Sequence, residues 1–529
     1  MKFSGVKRFA PDKISTALAI ISALLLIAAF PDFEYWFLAW FAPLPLIWAA
    51  RRQNASPAKA FTAGWLFGVI FFFGAFWWLT FAPINYAGFP PALAYFLLLL
   101  VCMAVAVFPA VFSGMLAIAI RRFGNNALLA APFLWIFTEF LRYWLTGNNW
   151  NAIGYSQAFV RWPVSYASIG GIYLVGFVLV LNSAMLARIA AEFIRPRGTD
   201  GQNGRRITLA AAAVTVAVIS ASGFLSARLD SPVPETEVAA RVIAIQPNVP
   251  MSGLTFEKWS ALRERHAQLA ELALKETGAG SHGIHPPTIV IFPESPMNFA
   301  YDEDAEFRKF LADFAYRNNV SVIFNSAEPN PLDGKYFNSA VMVDNFGREV
   351  AQYDKIFLLP FGESVPDFLN GIVPAFVGNF SPGREEDILP LAEAKSGIMI
   401  CFESHFGGLS RDYVRKGADV LIEMTNDGYL GNTPVLRQHL ANAIFRSVET
   451  HRPLLRVTNV GVTAFIDQYG RILDTAKSYT EDVRTWEVRK SDGKQTIYVR
   501  FGDWFAWISS VIALAILIIG LRAKTPGRK

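Results

Sequence analysis

Two cysteines in 529 residues cannot build a disulfide framework. Cys102 lies in the apolar run LLLLVCMAVAVF and Cys401 roughly three hundred positions later in mixed composition, so the two are not expected to pair. Charge is scarce too. Only 17% of residues are charged, against 53% hydrophobic and 14% aromatic, a balance too apolar for an ordinary soluble protein of this length. From Phe61 to Ile120 there is no Asp, Glu, Lys or Arg at all. The formal net charge of +5 comes from 48 basic and 43 acidic residues, and the basic excess sits in short clusters beside apolar segments. That pattern points to membrane topology and away from nucleic acid. Cys102, inside one of these segments, reads as a compact packing residue.

Uncharged runs near the spanning length of roughly 20 residues recur through the first 227 positions. They predict membrane helices near 14–30, 34–50, 60–82, 91–119, 127–143, 165–190 and 207–226, with one more at 504–521. The second, with PLP inside it, is the shortest, and NYAGFPP divides the long uncharged stretch into two. The first run is followed by another apolar segment and by no small-residue cleavage site, so it reads as a retained helix. Eight spans put both termini on one side. Lys2, Lys7, Arg8 and Lys13, then Arg51, Arg52 and Lys59, Arg121 and Arg122, the arginines at 195, 197, 205 and 206, and the tail RAKTPGRK all fall there, whereas opposite loops such as FAPINYAGFPP carry no Lys or Arg. The positive-inside bias assigns that side to the cytoplasm and the intervening domain to the outside. The expected organisation is a seven-helix membrane domain over 1–227, an outer domain over 228–503, and a final helix with a basic tail over 504–529.

Between spans seven and eight the composition becomes that of a soluble α/β domain. The runs RVIAI, TIVIF, VSVIF, AVMV, GIMI and DVLI read as strands buried on both faces, alternating with amphipathic helices such as 303–318 and 434–450. DNFGRE at 344 and DQYGRI at 467 read as hairpin turns. The expected fold is a sheet-and-helix sandwich of about 270 residues, enough for a core of its own.

Several of these strands end in polar residues that a core would not hold, and α/β sheets gather ligand and catalytic groups at strand ends. TIVIF runs into Pro293 and Glu294, GIMI into Cys401, and DVLIEM into Thr425, Asn426 and Asp427; Lys355 sits among apolar neighbours with Glu363 eight residues on. Singly, each has a structural explanation: a helix cap, a snorkelling lysine, a core thiol. Together they supply a base, a cation and a nucleophile, the set that acyl transfer requires. An unpaired thiol kept in an oxidising outer compartment also argues for use.

The ordered motifs FPES, YDKIFLLPFGE, ICFES and NDGYLGNT, followed by QHLANAIFRSVETHRPLLRVTNVGVTAFID, resemble the nitrilase-like domain of the apolipoprotein N-acyltransferase family, and TGNNWNAIGYSQ at 146–157 resembles that family's membrane domain. The resemblance covers nearly the whole chain. It implies a carbon-nitrogen hydrolase αββα sandwich joined to eight membrane helices, in the inner membrane of a bacterium, with the catalytic domain in the periplasm and both termini cytoplasmic. It implies Glu294 as general base, Lys355 as oxyanion stabiliser and Cys401 as nucleophile, supported by Glu363 and Glu403, with Phe402, Asn426 and Tyr429 as candidate substrate contacts. The implied reaction passes an acyl chain from a phospholipid through a Cys401 thioester to the α-amine of a diacylglyceryl-cysteine lipoprotein. No metal or organic cofactor is implied, and the expected partners are phospholipid, apolipoprotein and bilayer, the protein itself being a monomer. Phe402 stands where the family typically has tyrosine, Tyr429 and Leu430 where it has tryptophan and phenylalanine, and Phe256 near a position that the family often fills with a lid tryptophan; these departures bear on acyl-chain and lipoprotein preference. Competing readings are a membrane-tethered amidase that gives the acyl group to water, and a transporter with an outer domain. Transport requires ionisable groups inside spans, where Glu139 and Arg142, near a helix end, are the only obvious pair.

Overall fold

The computed structural model describes residues 9–193, 237–278, 286–294, 300–360, 362–364 and 380–522, with six isolated positions between 206 and 220. The expected span at 207–226 and the basic tail lie largely outside the described residues. The chain divides into two compact units, Met1–Ser231 with Phe501–Lys529, and Pro232–Arg500.

In the first unit, four apolar stretches are long enough to cross a membrane: Pro57–Asn85, Pro91–Thr146, Ala167–Phe193 and Trp504–Arg522, with Lys13–Ala29 a shorter apolar helix. The 56-residue stretch resolves into the helices Pro91–Val105, Val107–Phe123 and Ala131–Thr146. The first break, at Ala106, is where Pro109 cannot donate to the preceding turn. The run expected at 34–50 is not one regular α-helix: it folds as a 3-10 turn, Trp36–Trp40, joined through Phe41 and Ala42 in the helical region to a ten-residue helix, Pro43–Arg52. At 1.5 Å per residue the ten-residue helix alone reaches about half of a bilayer core, and the 3-10 turn before it, at about 2 Å per residue, supplies most of the rest. Helix Pro57–Phe76 lies so close to Val107–Phe123 that a Cβ on Gly64 would sit 2.4 Å from the Pro109 carbonyl oxygen, the small-residue packing that membrane helices favour.

Hydrogen bonds to neighbouring helices hold the polar segment 146–157. Gln157, fully buried, accepts from Trp40 Nε1 at 3.2 Å and donates to the Trp36 carbonyl at 3.0 Å, while Glu139 accepts from the Ile153 amide at 2.9 Å. Arg142 is buried and donates to the Trp150 carbonyl at 3.2 Å.

The second unit is built on two six-stranded sheets. One has the order β12-β1-β2-β3-β4-β5, from β1 (Val238–Gln246), β2 (Thr288–Ile291), β3 (Ser321–Pro329), β4 (Tyr336–Val343), β5 (Glu349–Asp354) and β12 (Asp482–Arg489). The other has the order β11-β10-β9-β8-β7-β6, from β6 (Ile388–Leu391), β7 (Ala394–Ile400), β8 (Val420–Thr425), β9 (Leu454–Thr458), β10 (Ala464–Ile466) and β11 (Ile472–Thr475). Strands β1 to β3 and β7 to β9 run parallel. The expected turns close the β4–β5 and β10–β11 hairpins, with Gly347 and Gly470 at φ 76° and 78°, where a side chain would be strained. Ile243, Val290, Val322 and Val341 pack against Ala270, Leu311 and Phe314 of the helices Phe256–Thr277 and Ala305–Asn318, which cover the first sheet. Helices Gly407–Arg415 and Val435–Thr450 contact the second. The sheets meet between these layers, where Thr458 donates to Gln246 at 3.2 Å. The αββα arrangement expected for this region is the one observed.

Candidate active site

The chemistry collects where strands of both sheets end. Glu294 follows β2, Lys355 follows β5, Cys401 follows β7 and Asn426 follows β8. Cys401 opens a 3-10 turn, Cys401–His405, at φ 53°, a left-handed conformation that a non-glycine residue keeps only when its surroundings impose it.

Glu294 accepts from Asn338 Nδ2 at 2.9 Å through one oxygen and from the Asn426 amide at 3.0 Å through the other, and the Cys401 thiol is a further hydrogen-bond partner. Burial raises its carboxyl above the ordinary range despite the opposing pull of Lys355. Lys355, 1% exposed, donates to Glu363 at 2.8 Å and lies 3.7 Å from Glu294 Oε1. Burial alone would lower the ammonium, but Glu363 and Glu294 outweigh it, so Lys355 stays charged. Burial pushes the Cys401 thiol well up and Glu294 adds to that, with Lys355 opposing. The resting site therefore holds a neutral thiol beside a carboxyl group and a fixed cation, and a reaction at sulfur would require the thiol proton to leave.

The two supporting carboxylates have distinct tasks. Glu363 is tied by Lys355, by Asn338 at 2.7 Å and by the Leu359 amide at 2.7 Å, and so sets where the ammonium points. Glu403 is fully buried and braces two segments: one oxygen accepts from Tyr353 Oη at 2.8 Å and from the amides of Ile356 and Phe357 at 2.7 and 3.1 Å, the other from the Ile400 amide at 2.8 Å. Burial raises its carboxyl to about 7, against Lys355 and these donors. Glu403 thus fixes the strand end carrying Lys355 to the turn carrying Cys401. Glu403→Gln keeps one acceptor but turns an NH2 toward the Ile400 amide, so thermal unfolding should show a loss of about 1–3 kcal/mol. Acyl transfer should fall about tenfold or more as the two groups lose register. An unchanged melting curve and rate would contradict the brace.

Of the three candidate substrate contacts, Asn426 is drawn into the site itself, its backbone on Glu294 and its side chain accepting from Asn459 at 3.1 Å. Phe402 is buried and stacks on His405 with ring centroids 5.6 Å apart. Tyr429 is 45% exposed on the turn Asp427–Leu430. Sequence reasoning missed Asn338, the shared donor to Glu294 and Glu363, because a lone asparagine in a strand carries no pattern. It also missed Glu423, His439 and Arg456 behind Cys401, although a glutamate in DVLIEM and an arginine in LLRVTN, charges inside buried runs, require partners. Among the described residues no cluster of His, Cys, Asp or Glu is arranged to hold a metal ion.

Comparison with known proteins bears on both units. Residues 22–185 match the family model of the apolipoprotein N-acyltransferase N-terminal domain, and residues 240–498 match that of carbon-nitrogen hydrolase. An apolipoprotein N-acyltransferase of Geobacter metallireducens is 32% identical over 518 residues, covering 96% of this chain and 95% of that protein. The Methylococcus capsulatus protein of the same name is 30% identical, with 95% of each chain covered. Among solved structures, Saccharomyces cerevisiae Nit3 of the nitrilase superfamily aligns over 49% of this chain and 93% of its own, with 18% identity and a TM-score of 0.36.

Proposed function

Because this chain belongs to the apolipoprotein N-acyltransferase family, we propose that it moves an acyl chain from a phospholipid to the free α-amine of a lipoprotein's N-terminal diacylglyceryl-cysteine. The observation that carries this reading is the convergence of Cys401, Glu294 and Lys355 from strand ends of both sheets. Glu294 takes the thiol proton as Cys401 Sγ attacks the ester carbonyl, and the Lys355 ammonium faces the developing oxyanion. Collapse breaks the ester C–O bond, and the leaving lysophospholipid oxygen takes the proton back from Glu294. The α-amine then attacks the thioester, gives its proton to Glu294, and expels the Cys401 sulfur, which is reprotonated. Phe402, Asn426 and Tyr429 are assigned to the substrate side of the site.

Purified protein given phospholipid and a synthetic diacylglyceryl-cysteine peptide should yield the N-acyl peptide and lysophospholipid in equal amounts. Free fatty acid with an unmodified peptide amine would instead indicate the membrane-tethered amidase.

The membrane placement belongs to the same proposal: eight spans, seven within 1–227 and one within 504–529, in the inner membrane of a bacterium. The catalytic domain 228–503 then faces the periplasm and both termini face the cytoplasm. Loop charges support this, since Arg51, Arg52, Arg121 and Arg122 flank helix ends on one side while 81–91 carries no charge. A reporter that works only outside the cytoplasm should be active at Gly280 and silent after Lys529; the reverse would put the site inside.

A further inference from the structure

Behind Cys401 lies a closed ring of four buried ionisable side chains that the proposed chemistry does not use. Arg456 contacts Glu423 Oε2 at 2.5 Å and Asp427 Oδ2 at 2.7 Å. His439 completes the ring, with Nδ1 2.7 Å from Asp427 Oδ1 and Nε2 2.9 Å from Glu423 Oε1. None of the four is more than 3% exposed. Sheet register builds the ring: Glu423 on β8 pairs directly with Arg456 on β9, and Asp427 follows the end of β8. His439 comes down from the covering helix Val435–Thr450.

His439 Nε2 has a second partner, the carbonyl oxygen of Cys401 itself, at 3.1 Å. Asp427 Oδ1, Glu423 Oε1 and the Cys401 carbonyl, the three oxygens facing the ring nitrogens at these distances, are all acceptors. A neutral ring would aim a lone pair at one of them, so the contacts are mutually attractive only when both nitrogens carry protons. Then the ring alternates in sign, two cations and two anions, and sums to zero. With His439 neutral, one uncompensated negative charge would stay buried beside the thiol.

We propose that His439, held as imidazolium by Asp427 and Glu423, is a positioning residue for Cys401: it pins the left-handed turn through the Cys401 carbonyl and cancels the buried negative charge that would oppose a thiolate. Burial and Arg456 both disfavour protonation of His439, yet Asp427 and Glu423 outweigh them and carry it up to about 9. Asp427 is brought down to about 2, Arg456 and His439 prevailing over burial. The charged groups acting on Cys401 are Glu294 and Asp427, which disfavour the thiolate, and Lys355 and Arg456, which favour it. Glu403 faces Lys355 from the same turn.

The proposal rests on Cys401 as the reactive thiol, and its test reads that thiol without acyl transfer. Full-length protein in lipid nanodiscs is alkylated with iodoacetamide across a pH series, and modification is quantified on the peptide containing Cys401. His439→Gln leaves the ring one negative charge in excess, so its alkylation midpoint should move up by about one pH unit, roughly tenfold slower reaction near neutrality. Asp427→Asn leaves one positive charge in excess and should move the midpoint down. The double variant His439→Gln/Asp427→Asn restores a neutral sum and should return toward the parent value. A merely structural role predicts the double variant no better than the worse single one, and that result would overturn the proposal. If His439→Gln fails to accumulate, Asp427→Asn and the double variant decide it: coincident midpoints for these two and the parent also overturn it. Failure of the acyltransferase reading would appear separately, as alkylation that follows these shifts in a protein that forms no acyl adduct.

Discussion

Cys401→Ala and Cys401→Ser should each lower acyl transfer by at least about a thousandfold while leaving expression and membrane insertion intact. The alanine variant removes the only atom that can carry the acyl group. The serine variant keeps an oxygen in place, but its hydroxyl ionises far less readily than a thiol. Here even the thiol is pushed up by burial and by Glu294, so a single raised carboxylate would face a much steeper proton transfer. Both substitutions leave the backbone at 401 in its left-handed turn, held by the His439 contact to the carbonyl and the Glu403 contact to the Ile400 amide. Turnover assayed against membrane-inserted protein checks this, and near-full turnover by the serine variant would contradict thioester chemistry.

Glu294→Gln and Lys355→Met should both cost about a hundredfold or more in acylation at neutral pH, and they should part company as pH rises. Glu294 acts as a base only when ionised, and burial places that ionisation above the ordinary carboxylate range. In the parent, single-turnover acylation therefore rises as pH climbs through the Glu294 transition. Glutamine removes that base, leaving the reaction to the thiol's own ionisation at higher pH, so alkali should partly restore the rate. In the proposed mechanism Lys355 acts chiefly on the oxyanion, and alkali cannot replace a missing cation there. It also favours the thiolate, so the methionine variant should recover slightly where the thiol ionises unaided, but less than the glutamine variant. Rescue of both to the same extent, or of neither, would contradict the division of labour.

Much of the catalytic domain was legible because its strands are short apolar runs that end abruptly in polar residues. GIMI into Cys401, TIVIF into Glu294 and DVLIEM into Asn426 became the ends of β7, β2 and β8, and the two Gly-containing turns became hairpins. Glu403, by contrast, was named only through family resemblance. Its function as a brace depends on Tyr353, Ile356 and Phe357, some fifty residues away, which only the meeting of the two sheets brings to it. His439 was hidden for a similar reason. On helix Val435–Thr450 nearly every residue is buried, so periodicity does not mark the one that contacts the Cys401 carbonyl. In the membrane unit hydropathy located the long spans but not the break-up of 34–50, because PLP starts a new helix where composition still reads as one apolar run.

The measurement that tests the central claim most directly is intact-protein and peptide mass spectrometry after incubation with a phospholipid of defined chains and no amine acceptor. The account predicts a mass increase of one acyl group confined to the peptide carrying Cys401, an adduct that hydroxylamine removes and a diacylglyceryl-cysteine peptide discharges as its N-acyl product. No adduct while the same preparation transfers acyl chains, or an adduct on any other residue, would contradict it.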